Sequence, residues 1–148
     1  MRERIIQRNF RESDLPHIIG FKKESTGVSF PGRDLEPERF AMRLTRYMKK
    51  YPEQVQVLEK GGTVVGYIWF GMREGDLGRY GFLHQLFIRK DLRRQGLANR
   101  LLSYAEGYLR SNGAKSLTLN VTEANVPAVK FYEKMQYKRT RLVMEKRL

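Results

Sequence analysis

The 148-residue chain has no cysteine, so it contains no disulfide framework, no thiol nucleophile and no thiolate metal site. Two histidines and scattered carboxylates give no ligand-spaced cluster, and no metal is expected. The longest apolar run, Val64 to Phe70, includes a glycine and falls far short of the ~20 residues that a membrane span needs. The start, Met1-Arg2-Glu3-Arg4, leads into a short strand-like patch and not into the apolar region of a signal peptide. Acid is scarce as well: 16 Asp and Glu stand against 29 Lys and Arg, a formal net charge of +13. These absences point to a cytoplasmic protein. The charge points to an anionic partner: nucleic acid, an acidic membrane or a phosphorylated cofactor.

What is present is enough for one packed domain over residues 1–148, with 41% apolar residues, 11% aromatics and no repeat or linker. The excess of base is uneven. Residues 1–85 hold 15 basic and 11 acidic residues, whereas residues 86–148 hold 14 and 5. Ile5 to Phe10 reads as a strand. Ser13, with Pro16 close behind, reads as the N-cap of a first helix that Ile18, Ile19 and Lys22–Lys23 continue. Ser25 to Gly32 is expected to be a loop, with Thr26-Gly27 and Pro31-Gly32 as breakers. A second helix opens at Glu36-Pro37-Glu38, carries Phe40, Leu44, Tyr47 and Met48 on one face, and ends at Tyr51-Pro52. His17, among apolar neighbours in the first helix, reads as structural.

Val55 to Glu59 and Val64 to Phe70 form a hairpin signal around Lys60-Gly61-Gly62-Thr63. Gly75 to Gly78 is a further turn, and Gly81 to Ile88 a strand. Leu97, Leu101, Leu102, Ala105 and Leu109 mark an amphipathic helix that stops at Ser111-Asn112-Gly113. Ser116 to Val121 is the next strand. Asn125 caps a helix with Pro127 in its first turn and Ala128 to Met135 completing it. Tyr137 to Arg147 reads as a basic strand. Strands alternating with helices after residue 55 predict an α/β sheet, antiparallel early and parallel later.

The informative stretch is Leu86 to Ala98, in which a buried strand runs into a basic turn and then a helix opened by Gly96 and Ala98. The first N–H groups of such a helix have no intrahelical partner and carry partial positive charge, which suits a pyrophosphate. Arg93 and Arg94 could add charge-assisted bonds. A strand–helix corner with a solvated basic loop would look the same.

Arg93-x-x-Gly96-x-Ala98 after Leu86-Phe87-Ile88 resembles the Gln/Arg-x-x-Gly-x-Gly/Ala motif of the GNAT superfamily of N-acetyltransferases. Asn125-x-x-Ala128-x-x-Phe131-Tyr132-Glu133-Lys134 is similar to that family's second block, at the expected distance. The resemblance implies a mixed, V-splayed central sheet of six to seven strands flanked by about four helices, with acetyl-CoA as co-substrate in the gap between two parallel strands. It implies that the backbone of Leu86, Phe87 and Ile88 pairs with pantetheine amides. It also implies that Arg93, Arg94, Gln95, Gly96, Leu97 and Ala98 cradle the pyrophosphate, with Asn99 close by. Asn125 would meet the pantetheine arm or a water, and Phe131 would pack along it. Their ordinary readings are a helix cap and a core aromatic.

By the same resemblance Tyr132 is the general acid that protonates the CoA thiolate, a role open to a tyrosine protonated at neutral pH. The base is less constrained. Where histone-type relatives carry Glu, this chain has Phe82, and His84 is the one titratable group on that strand. It could take the amine's proton directly or through water; its ordinary reading is a core or surface histidine satisfied by hydrogen bonds. The absence of glycine at Gln136 predicts a different cap after the second block, because a non-Gly left-handed residue costs about 1 kcal/mol.

The expected reaction is acetyl transfer from acetyl-CoA to a primary amine by direct attack in a ternary complex. The acceptor would be a small molecule or a protein, with no membrane and no specific nucleic acid as partner, and a homodimer is possible. Glu24, Asp34, Glu36 and Glu38 could receive a cationic amine. Two other readings compete. One is a CoA-binding sensor or assembly module with little catalysis. The other is a basic nucleic-acid-associated protein, motivated by Lys138, Arg139, Arg141, Lys146 and Arg147, although nucleic-acid-binding motifs are absent.

Overall fold

A computed structural model describes residues 4–148, so Met1 to Glu3 of the basic N-terminus lie outside the described residues. The chain runs β1 (Ile5–Asn9), α1 (Leu15–Ser29), α2 (Pro37–Lys50), β2 (Val55–Lys60), β3 (Thr63–Gly75), β4 (Gly78–Ile88), α3 (Leu97–Ser111), β5 (Leu117–Leu119) and α4 (Val126–Lys134). Among the described residues there is one sheet of five strands in chain order. β1 to β4 are antiparallel neighbours, and β5 joins β4 in parallel over Gly81–Leu83 against Leu117–Leu119. The sheet is therefore mixed α/β as expected, but with five strands and not six to seven. Tyr137 to Arg147 belongs to no ladder. Alternation alone cannot hold a strand without a neighbour to bond, and β5 is too short to offer one. That segment is tied instead by side chains: the Tyr137 hydroxyl donates to Glu106 at 2.7 Å, and Arg33 pairs with Glu145 at 2.9 Å.

Each sheet face has its own core. Leu101, Leu102, Ala105 and Leu109 of α3 pack on Leu58, Val65, Ile68, Phe70 and Leu83. Ile18 of α1 and Phe40 and Leu44 of α2 pack on the other face, against Val55, Val57, Val64, Tyr67, Trp69 and Phe87. Strict alternation would place Val64 with Ile68 and Phe87 with Leu83, and it fails at both pairs. The β2–β3 register jumps from Leu58↔Gly66 to Glu59↔Val64, leaving Val65 as an extra residue. The β3–β4 register jumps from Phe70↔Leu83 to Trp69↔Gln85, leaving His84 extra. Each bulge exchanges the faces beyond it.

The helix boundaries differ from the sequence reading in the first third of the chain. α1 continues through Thr26-Gly27 to Ser29, and the Phe30 N–H closes the last turn on the Thr26 carbonyl at 2.7 Å. Glycine inside a helix costs about 1 kcal/mol, which the packed face of α1 outweighs. Ser13 is exposed and caps nothing. Buried Asp14 organises the corner instead, accepting both guanidinium arms of Arg8 at 2.9 Å and the Arg11 N–H at 2.8 Å. Burial alone would raise the Asp14 pKa, but these bonds outweigh it and hold the carboxyl below its ordinary value. His17 is exposed on α1. Gln136 takes the left-handed conformation itself at φ 72°, so the cap after α4 has the usual geometry despite lacking glycine. No described helix is long and apolar enough to cross a membrane.

Candidate active site

Among the described residues, β4 has one open edge. β4 and β5 share a ladder only as far as Leu83 and Leu119. Past that point β4 continues to Ile88, bonded to β3 on one edge and to no strand on the other. Leu86 is half-buried, while Phe87 and Ile88 are buried on opposite sides. Phe131 and Tyr132 of α4 pack against the cluster that holds Leu86, Leu117 and Leu119, so the second sequence block borders this edge. Asn125 is the N-cap of α4, its side chain accepting from the Ala128 N–H at 3.4 Å.

Beyond Ile88 the chain runs through a basic turn to the start of α3. Arg94 at φ 64° and Gly96 at φ 80° both take left-handed conformations, so the chain turns sharply before the helix. For arginine this is strained by about 1 kcal/mol. Gly96 is the N-cap and brings no side chain to the helix end. The first helical bond of this turn runs from the Arg100 N–H to the Gly96 carbonyl at 2.9 Å. The N–H groups of Leu97, Ala98 and Asn99 are therefore uncapped donors at the positive end of the macrodipole. Arg94, Gln95 and Asn99 are exposed around them. Arg93 is not free: its Nε donates to the Ile88 carbonyl at 2.8 Å, its other arm meets Glu24 at 3.2 Å, and it lies 5.1 Å above the Phe87 ring. Its side chain braces the end of β4 to α1, leaving Arg94 as the arginine open to a ligand at this turn.

Tyr132 is partly buried, with ring centroids 5.2 Å from Phe131 and 5.9 Å from Tyr137. Its hydroxyl makes no hydrogen bond among the described residues, and burial pushes its pKa up to about 12. It is a protonated, uncommitted donor. His84, the bulge residue, stacks on Trp69 at 4.5 Å and meets Tyr47 and Phe82 edge-on at 5.9 and 5.2 Å. Burial first, then the charges of Arg73 and Arg43, lower its pKa to about 4, so it is neutral near pH 7. Gly71 makes room for this cluster. A Cβ there would collide with the Tyr47 hydroxyl and lie 3.6 Å from His84 Nε2. Tyr47 donates to buried Gln54 at 2.5 Å, and Gln54 donates on to the Tyr108 hydroxyl at 3.3 Å.

Phe131 and Tyr132 thus pack on the cluster that holds Leu86, Ile88 and Leu97, and His84 sits in an aromatic box with Tyr47, Trp69 and Phe82. Sequence reasoning placed Tyr47 in a core stripe and gave Trp69, Arg43 and Arg73 no role. The available signals were Trp69, Gly71 and Arg73 alternating on one strand, and Arg43 and Tyr47 one helical turn apart. Asp34 and Glu38 are exposed, while Glu24 and Glu36 are paired with Arg93 and Arg39.

The lowered His84 pKa has a consequence for stability. The unfolded imidazole takes a proton near pH 6.5 and the folded one near 4, so the unfolded state binds more protons between those values. The contribution is complete above pH 6.5 and declines as the pH falls toward 4. After allowance for partial exposure it is on the order of 2 kcal/mol. Urea titrations at pH 7 and pH 4.5 are expected to show His84→Gln losing less stability than the wild type over that interval. Equal losses would place the histidine in a more solvated setting.

An α/β sheet with an open strand edge beside its parallel pair, and an uncapped helix end beyond it, is the architecture of an acyl-CoA-dependent transferase. Residues 23–137 match the acetyltransferase (GNAT) family, and the chain belongs to that family. An acetyltransferase of Yersinia pestis is 30% identical over 137 residues, covering 93% of this chain and 90% of the relative. Among solved structures, an aminoglycoside N-acetyltransferase in complex with CoA superposes with a TM-score of 0.79 at 16% identity, over 100% of this chain and 97% of that one. Glucosamine-6-phosphate N-acetyltransferase from Arabidopsis thaliana gives 0.74 at 18% identity, over 98% and 99%.

Proposed function

We propose that this acetyltransferase moves acetyl from acetyl-CoA to a primary amine by direct attack in a ternary complex. The observation that carries the reading is the open edge of β4, followed after a basic turn by three uncapped N–H groups of α3. A ligand with a chain of amides and a pyrophosphate fits both parts: the backbone of Leu86 to Ile88 would pair with the amides, and Arg93 to Ala98, with Asn99 close by, would receive the phosphates. The Ile88 carbonyl is already used by Arg93. Asn125 and Phe131 would border the pantetheine arm.

Acetyl-CoA supplies an activated carbonyl and a thiolate leaving group. Neutral His84 is the candidate to take the amine's proton, directly or through water, since its lone pair is free at neutral pH. The new N–C bond replaces the C–S bond, and the Tyr132 O–H supplies the proton for the departing sulfur. Proton count and charge then balance, because the proton lost from nitrogen is matched by the one gained at sulfur. The test is incubation with acetyl-CoA and an amine panel, followed by mass spectrometry of the amines and titration of released thiol. Stoichiometric thiol and acetylated amine support the reading. Tight CoA binding without transfer would replace it with a CoA-binding module.

A further inference from the structure

We infer that the acceptor amine is borne on an anionic molecule, whose carboxylate or phosphate is held by Arg43 and Arg73 at the rim of the His84 box. The inference rests on the acetyl-transfer reading and adds the class of acceptor. Arg43 projects from α2 and Arg73 from β3, two residues beyond Gly71 and four beyond Trp69, and both are exposed. Their guanidinium groups lie over the walls of the box: Arg43 is 5.4 Å from the Trp69 centroid and Arg73 is 3.9 Å from that of Phe82. Trp69 and Phe82 are the same rings that enclose His84. Stacking on an aromatic face fixes the plane of a guanidinium without using its N–H edge, which matches a carboxylate or phosphate in bidentate fashion.

Neither arginine is neutralised. Among the described residues, neither forms an ion pair or donates a side-chain hydrogen bond, whereas Arg8, Arg33, Arg39, Arg79, Arg89, Arg93 and Arg139 all pair with carboxylates. Of the carboxylates that the sequence offered for a cationic acceptor, Asp34 and Glu38 are exposed and two are taken. Glu24 is held by Arg93 and Glu36 by Arg39, and Glu74, next to Arg73, is drawn away by Arg79 at 2.6 Å. Lys22 of α1, half-buried over Phe40, adds a third cation, and its own pKa is lowered by burial and by Arg43. The wall is completed by the buried Trp69 Nε1–H, which has no acceptor. A polyamine would bring its extra ammonium groups into this field and be repelled. An amine tethered to an anion is attracted, and the arginines also favour the unprotonated amine that attacks.

The experiment measures kcat/KM with acetyl-CoA for matched acceptors: phenylalanine against phenylalaninamide, glucosamine 6-phosphate against glucosamine, and spermidine as the cationic control. The anionic member of at least one pair is expected to exceed its neutral partner by at least about ten-fold, the gain expected of a charge-assisted contact. The pair that responds identifies carboxylate or phosphate. Arg43→Gln and Arg73→Gln are each expected to raise KM for that acceptor by about ten-fold while KM for acetyl-CoA is unchanged. Efficient use of spermidine or of the neutral partners, or indifference to both substitutions, overturns the inference and leaves acetyl transfer standing. Acetylation of none of these amines overturns both.

Discussion

Tyr132→Phe is expected to lower kcat by about a hundred-fold or more while leaving the dissociation constant for acetyl-CoA unchanged, the loss typical of removing a general acid. Burial holds the hydroxyl protonated with a pKa up to about 12, and among the described residues no hydrogen bond engages it. In the proposed reaction the departing sulfur would be the partner of this hydroxyl. Phenylalanine keeps the ring contacts with Phe131 and Tyr137 and strands no buried partner, so stability is expected to hold within about 0.5 kcal/mol. Stopped-flow or burst kinetics separate the outcomes. A slowed chemical step at constant cofactor affinity fits proton donation. Unchanged kcat would remove Tyr132 from the chemistry, and weakened binding with unchanged kcat would make it part of the cofactor wall.

Local features were legible in the sequence because local physics makes them. The Gly61-Gly62 turn, the amphipathic stripe of α3, the Asn125 cap and the glycine before α3 each depend on residues within a few positions of one another. The strand-to-helix corner at Leu86–Ala98 was legible for the same reason. What escaped the sequence depends on distant partners. Val65 and His84 become extra residues only when β2 and β4 lie beside β3, and no alternation pattern announces which residue a ladder will skip. The sequence offers Arg93 as a phosphate ligand and does not show that its side chain also reaches the Ile88 carbonyl and Glu24, far away in sequence. Tyr137 to Arg147 has the alternation of a strand, but a strand also needs a neighbour. The aromatic box was hidden similarly: Tyr47 on α2, Trp69 on β3 and His84 on β4 meet only once helix and sheet are packed.

Asn99→Glu is expected to separate stability from binding. Asn99 is the third residue of α3, exposed, and occupied only by the Ser103 hydroxyl at 3.0 Å. Because Gly96 provides no cap, a carboxylate at this position meets uncapped N–H groups and the positive end of the helix, adding about 0.3–1 kcal/mol of stability. The same charge confronts an incoming pyrophosphate. Two unit charges about 5 Å apart near a protein surface repel by about 3 kcal/mol, which corresponds to roughly a hundred-fold weaker binding. Thermal melts should therefore move up by about 1–3 °C while calorimetry shows the dissociation constant for CoA rising about a hundred-fold. Added salt should shrink the binding defect, because the repulsion lies at an exposed helix end where screening is effective. Dephospho-CoA keeps the pyrophosphate and should suffer the same loss, whereas pantetheine carries no phosphate and should suffer none. A loss common to all three would mean that the substitution distorts the site and does not repel charge at the helix end. An unchanged affinity for CoA would move the phosphates away from α3 altogether.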